Sequence, residues 1–128
     1  LTAAAFRQRV YKSLNITMPA TVPQTVTLLD RKSYKPRHLD NQDEVKDLIR
    51  KYGFEPKVVV WDEATFEEQV AILANTGLFV TVHGAGLMNQ LFLPPGASVV
   101  EIFPVHTKHV LYERMAHYMG LYHFKVYA

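Results

Sequence analysis

His83 closes an apolar, β-branched run, Leu78-Phe79-Val80-Thr81-Val82, and is followed at once by Gly84, Ala85 and Gly86. Small residues let backbone N–H groups come close to an anion, and a helix N-terminus adds partial positive charge. A short helix expected from about Gly84 to Leu91 would aim such a terminus at the same point. The layout is that of a phosphate cradle. A histidine at its mouth could donate to a phosphate, polarise a leaving group or act as a base. A histidine that merely caps the loop is the plainer alternative. Gly84 and Gly86 likewise suit a bound diphosphate or a simple strand-to-helix turn. Asn89 occupies the third glycine position of a dinucleotide fingerprint, and no Gly-Lys-Ser/Thr follows, so neither that motif nor a P-loop is present.

Arg31-Lys32-Ser33-Tyr34-Lys35-Pro36-Arg37-His38 is the densest basic patch. Arg31 or Arg37 could clamp phosphate oxygens there; a solvated loop is the other reading. Glu101 interrupts an apolar strand, and a buried carboxylate needs partners. A pair of ribose hydroxyls and a structural salt bridge both qualify. Trp61-Asp62-Glu63 ends a strand, where a side chain could line a base or sugar pocket. His106, His109 and His117 have no carboxylate-rich motif beside them, so no metal site is expected. The absence of G-x-S-x-G leaves serine hydrolase chemistry without support.

These groups need elements to hold them. Leu1 to about Leu14 reads as a helix with Phe6, Val10 and Leu14 on one face. Pro19 to Pro23 form a connector that could act as a hinge. Strands are expected at 25–29, 57–61, 78–82, 98–102 and 122–126. A helix opens at Asn41 with Glu44 completing a capping box, and Gly53 follows it in a stop position. A second capping box, Thr65 with Glu68, opens a helix whose stripe is Phe66, Val70 and Leu73. Thr107 to Met119 forms the last helix, with Leu111, Met115 and Tyr118 inward and Gly120 at the stop. Strands alternating with helices give an α/β fold: a Rossmann-like parallel sheet of about five strands, with helices on both faces. With strand order 2-1-3-4-5, the Arg31 and His83 loops flank the crevice where the order reverses.

The 128 residues are 48% hydrophobic and 20% charged, which fits one folded domain and excludes a disordered chain. Fourteen basic residues nearly balance twelve acidic ones, and a net charge of +2 does not argue for nucleic acid. Without cysteine there are neither disulfides nor cysteine-based zinc sites. No run reaches transmembrane length and no signal peptide is visible. The chain starts at Leu1 rather than Met and is read as part of a longer protein. Asn15-Ile16-Thr17 is a glycosylation sequon, meaningful in the secretory pathway.

Taken together, His83-Gly84-Ala85-Gly86-Leu87 with Asn89, then Leu91-Phe92-Leu93-Pro94-Pro95-Gly96-Ala97 and Val99-Val100-Glu101-Ile102-Phe103-Pro104, resemble the core of glycosyltransferase family 61. Phe66-Glu67-Glu68-Gln69-Val70 and the path from Arg31 to Asn41 are also similar to that family. The resemblance covers roughly Val26 to Val126. It implies half of a GT-B architecture, the C-terminal half that binds a UDP-sugar. It further implies transfer with inversion, no required metal or other cofactor, and an N-terminal half that holds the acceptor site and catalytic base. On that footing residues 1–128 are a single nucleotide-sugar-binding domain, with residues 1–22 a helix and connector that could be the interdomain crossover.

The donor-binding residues implied are Arg31, Arg37, Asn41, Gln69, Gly84, Ala85, Gly86, Asn89 and Glu101, with His83 stabilising the leaving group. The sugar would be N-acetylglucosamine, xylose or arabinose, and the acceptor a glycoprotein or polysaccharide. The enzyme would face the endoplasmic reticulum or Golgi lumen, anchored as a type II membrane protein, with Asn15 open to glycosylation. Two positions depart from the family pattern: Arg37 stands further from Asn41, and Met88 replaces a small polar residue. A non-catalytic Rossmann-like module and a pyruvyl transferase of GT-B type are the alternatives.

Overall fold

In a computed structural model, residues 2–31 and 38–127 are described, so Arg37 lies outside the described residues. Five parallel strands form one sheet in the order β2-β1-β3-β4-β5: β1 (Val26–Leu29), β2 (Pro56–Val59), β3 (Leu78–Val82), β4 (Ser98–Phe103) and β5 (Tyr122–Tyr127). This is the expected order, with the reversal between β1 and β3. β1 is buried along its whole length. Its one hydroxyl, Thr27, is satisfied by Thr76 at 2.8 Å, and Thr76 in turn donates to Ile72 O. β2 ends at Val59, two residues earlier than expected. Trp61 belongs instead to a 3-10 turn, Trp61–Glu63, which carries it off the sheet and over its edge.

The two faces are covered unequally. One packs against α1 (Ala3–Ser13), α3 (Phe66–Ala74), α4 (Leu111–Tyr118) and a 3-10 helix, Ala85–Phe92. Phe79, Val99, Leu73, Val70, Leu87, Phe92 and Ala116 form the main core there. The other face carries a smaller cluster, Val26, Leu28 and Val80, under Ile49 of α2 (Gln42–Lys51). On that face Phe124 and Val126 of β5 pair with Val100 and Ile102 and stay exposed.

Local signals explain most element ends. Thr65 Oγ1 accepts from Glu68 N and donates to the Glu68 carboxylate, each at 3.1 Å, so Thr65 caps the helix as expected, with Glu68 reaching back to its hydroxyl. Gly53 takes φ 88° after α2, a conformation that strains other residues. Asn15 fills the same place after α1 at φ 56°, with Ile16 N donating to Tyr11 O at 2.8 Å, and its side chain is exposed. The capping box expected at Asn41 does not form: its side chain makes no cap hydrogen bond. At φ −97°, ψ 36° its backbone is outside the extended region that turns a capping side chain back onto the helix.

Two helical faces differ from the periodicity reading. The buried line of α1 is Arg7 and Tyr11, while Phe6 is 40% exposed. Arg7 Nη1 donates to Leu93 O at 2.9 Å and Met119 O at 3.3 Å, and Tyr11 donates to Phe92 O. These bonds fasten α1 to the domain across the Pro19–Pro23 connector. The last helix starts at Leu111 rather than Thr107, because the chain turns at Pro104–Thr107 with His106 at φ 65°. Tyr112, Ala116 and Met119 are buried, whereas Leu111 and Tyr118 face outward and Met115 is half-buried.

Candidate functional site

The carboxyl ends of β1, β2 and β3 open into a cleft of about 460 Å³. β1 delivers Leu29, Asp30 and Arg31 to it; the turn after β2 delivers Val60, Trp61 and Asp62. The third wall is Ala85, Gly86 and Asn89 at the head of the 3-10 helix. Side chains are missing where this wall meets the others. A Cβ on Gly84 would fall 1.9 Å from Arg31 Nη1, and one on Gly86 would fall 2.5 Å from Leu29 Cδ2. The guanidinium therefore lies directly against the loop backbone, a contact that only glycine allows.

Gln69 of α3 ties two walls together. Its Nε2 donates to Trp61 O and Ala64 O, both at 3.1 Å, and its Oε1 accepts from Asn89 Nδ2 at 2.8 Å. Both donors of that amide and one acceptor direction of its oxygen are thus engaged within the protein. Asp30 is anchored by its N–H to Val59 O at 2.8 Å, with His38 Nδ1 3.4 Å from its carboxylate. Among the described residues the cleft presents one cation, Arg31, and two carboxylates, Asp30 and Asp62. A guanidinium suits phosphate oxygens, and carboxylates accept from sugar hydroxyls.

His83 turns the other way. Its N–H donates to Ile102 O at 2.8 Å, and its Nδ1 lies 2.5 Å from Glu101 Oε2. The second oxygen of Glu101 takes His123 Nε2 at 2.8 Å. This carboxylate, on β4, is fully buried and bridges the imidazole that follows β3 and the one on β5. The His83 ring stacks on His109, with centroids 5.0 Å apart, and on Phe103, at 5.2 Å; Tyr112 meets its edge. His83 is itself 8% exposed.

The family model described as Glycosyltransferase 61 matches residues 2–100, most of the chain. The chain belongs to glycosyltransferase family 61. This family 61 chain is 40% identical over 104 residues to the EGF domain-specific O-linked N-acetylglucosamine transferase of Mus musculus. That alignment covers 77% of the chain and 20% of the relative. The rat protein of the same name is 36% identical over 124 residues, covering 93% of the chain and 23% of that protein. The Xenopus laevis protein O-linked-mannose beta-1,4-N-acetylglucosaminyltransferase 2 is 29% identical over 99 residues, 77% of the chain and 17% of that protein. The chain spans about a fifth of the length of the curated relatives it matches. The family match begins at residue 2, so α1 lies within the matched residues.

Within the family 61 chain, the fold brings Arg31, Ala85, Gly86 and Asn89 together around the cleft, with Gly84 beneath Arg31 and Gln69 behind Asn89. It does not bring Asn41 there: that side chain is exposed at the head of α2. Glu101 and His83 sit beside the cleft, paired with each other. His106, His109 and His117 do not converge, since His109 lies on His83 while His117 packs on Tyr118. Among the described residues no group of three or more metal-binding side chains is assembled, and no helix is long and apolar enough to cross a membrane. Asp30 was overlooked in the sequence, and Asp62 was named there only with its neighbours Trp61 and Glu63. Their signal was available, since each lies just beyond a strand end on the edge where open parallel sheets bind ligands.

Proposed function

We propose that this chain is the donor-binding domain of an inverting, metal-independent glycosyltransferase of GT-B architecture, and that the cleft over β1, β2 and β3 holds the nucleotide of a UDP-sugar. The observation that carries this reading is the fit of Arg31 against Gly84. A positively charged fork is seated on a loop of small residues, at the point where the strand order reverses. Arg31 and the backbone N–H groups at Ala85 and Gly86 would take the diphosphate and stabilise the charge that develops as UDP leaves. Asp30 and Asp62 would accept from ribose or sugar hydroxyls. His83, its ring held by Glu101 and turned from the cleft, would support the leaving group indirectly, by fixing the start of the loop that carries Gly84 and Ala85.

The relatives' names point to N-acetylglucosamine as the sugar and to protein acceptors such as EGF domains or O-linked mannose. The acceptor site and catalytic base would come from further polypeptide. An exposed sequon at Asn15 suits an enzyme of the secretory lumen.

Calorimetric titration with UDP tests the reading. Saturable binding is expected. Arg31→Ala should weaken it roughly 10- to 100-fold, the range for a lost charge-assisted hydrogen bond. Failure of UDP to bind either this chain or a longer form of the enzyme would overturn it. Activity of the longer form in excess chelator tests metal independence.

A further inference from the structure

Trp61 is the only tryptophan in the sequence and stands on the wall of the cleft opposite Asn89. Its ring is held in two directions. One side packs on Phe79 of β3, with centroids 6.1 Å apart and planes inclined at 37°. The pyrrole edge approaches Gly86: Cδ1 and Nε1 lie 3.6 and 3.7 Å from the place a Gly86 Cβ would occupy. The backbone is fixed as well, because Gln69 Nε2 donates to Trp61 O at 3.1 Å. Yet the indole N–H, shielded from bulk water, has no hydrogen-bond acceptor among the described residues. Buried N–H groups are seldom left so. Here the orphan sits where the loop backbone is bare of side chains, beside the proposed diphosphate position.

We infer that Trp61 is a contact residue for the donor nucleotide, its Nε1–H donating to an oxygen of the nucleoside diphosphate, and that Gln69 is the positioning residue that holds Trp61 and Asn89 at the right separation. The inference rests on the nucleotide reading above and assigns that site two roles which the sequence motifs do not contain. The acceptor missing among the described residues is supplied by the ligand, and Gly86 leaves the room for it. Gln69 has no N–H left to donate to a phosphate oxygen and stands behind Asn89 rather than on the cleft lining, so it acts through its neighbours.

Because Trp61 is the single tryptophan, intrinsic fluorescence reports on this wall alone. UDP added to the chain should change the emission along the same saturation curve as the calorimetric isotherm. Trp61→Phe keeps a ring and loses the N–H, and should weaken UDP binding about 3- to 10-fold, as expected for one neutral hydrogen bond. Gln69→Met should weaken UDP to a similar degree and shift the emission of the free protein. Circular dichroism of both variants checks that the fold is kept. Parallel titrations with uridine and with pyrophosphate separate a sugar oxygen from a phosphate oxygen as the acceptor. Binding of UDP by calorimetry with unchanged emission and unchanged Trp61→Phe affinity would overturn the inference and leave the nucleotide reading standing. Absence of any UDP binding would sink both.

Discussion

His83 and Gly84 are adjacent in the chain and belong to opposite kinds of structure. On the Gly84 side the sheet edge opens into a cleft, walled by bare backbone, Arg31 and Trp61. On the His83 side the edge is closed: Glu101 is buried between two histidines, and aromatic rings fill the remaining space. Both sides combine charge with aromatic surface. They differ in how far packing closes over the polar groups, since a buried nitrogen without a partner among the described residues occurs on both sides, His123 Nδ1 on one and Trp61 Nε1 on the other. Glu101 has two partners, and its region is sealed. Trp61 Nε1 has none among the described residues, and its region is open. The proposed site is the place where packing is left incomplete while the surrounding backbone is held firmly.

The sharpest way to break this contrast is to exchange the expected costs of the two sides. Glu101→Leu should destabilise the fold by about 3–5 kcal/mol in urea unfolding, since removing one partner strands the histidines in a buried position. Arg31→Ala, on the open side, should change stability by less than about 1 kcal/mol. If the two variants unfold at the same urea concentration, the distinction fails. Gly84→Ala probes the boundary itself. The added methyl meets Arg31 Nη1, and φ 158° is held by few residues other than glycine. A loss of roughly 1–3 kcal/mol is expected, together with loss of UDP binding. Binding that survives would mean that Arg31 is not seated on the loop when the nucleotide is present.

The smallest effect should come from the packed side at α1. Burial pushes the Tyr11 phenol up to about 12 from its ordinary 10, against the opposing pull of the Arg7 cation. The folded state thus keeps a proton that the unfolded chain releases first. The stability this contributes is complete below pH 10 and is lost as pH rises from 10 to 12. Tyr11→Phe should cost about 1 kcal/mol near neutrality, the usual net value of one hydrogen bond, and should flatten that alkaline decline. Unfolding curves at pH 7, 10 and 11 check both. A decline of equal steepness in the variant would assign it to other groups.

Much of this was legible without a structure. Strands of β-branched residues separated by helical stripes predict the parallel sheet. The Thr65–Glu68 pair and Gly53 mark their helix ends because capping depends on neighbours three or four residues apart. The small-residue loop and the arginine after β1 could be paired once the strand order was assumed. The misreadings are of another kind. The face of α4 and the start of that helix depend on a turn at Pro104–Thr107 and on His109 lying over His83. The burial of Arg7 depends on two carbonyls more than 80 residues away in the chain. Asn41 fails as a cap because of how the chain enters α2.

The sequence by itself determined the α/β class and the family, since these follow from local periodicity and from a long contiguous motif; the strand order, assumed from the sequence, came from the tertiary structure. Tertiary structure alone decided which chemically able residues face the cleft. It turned His83 and Glu101 toward each other and away from the open wall, and it set Trp61 and Gln69 on that wall. The physical reason is that a side chain's role depends on its partners in space. Glu101 meets His123 across neighbouring strands, and Gln69 meets Asn89 between two helices. No spacing along the chain encodes either meeting.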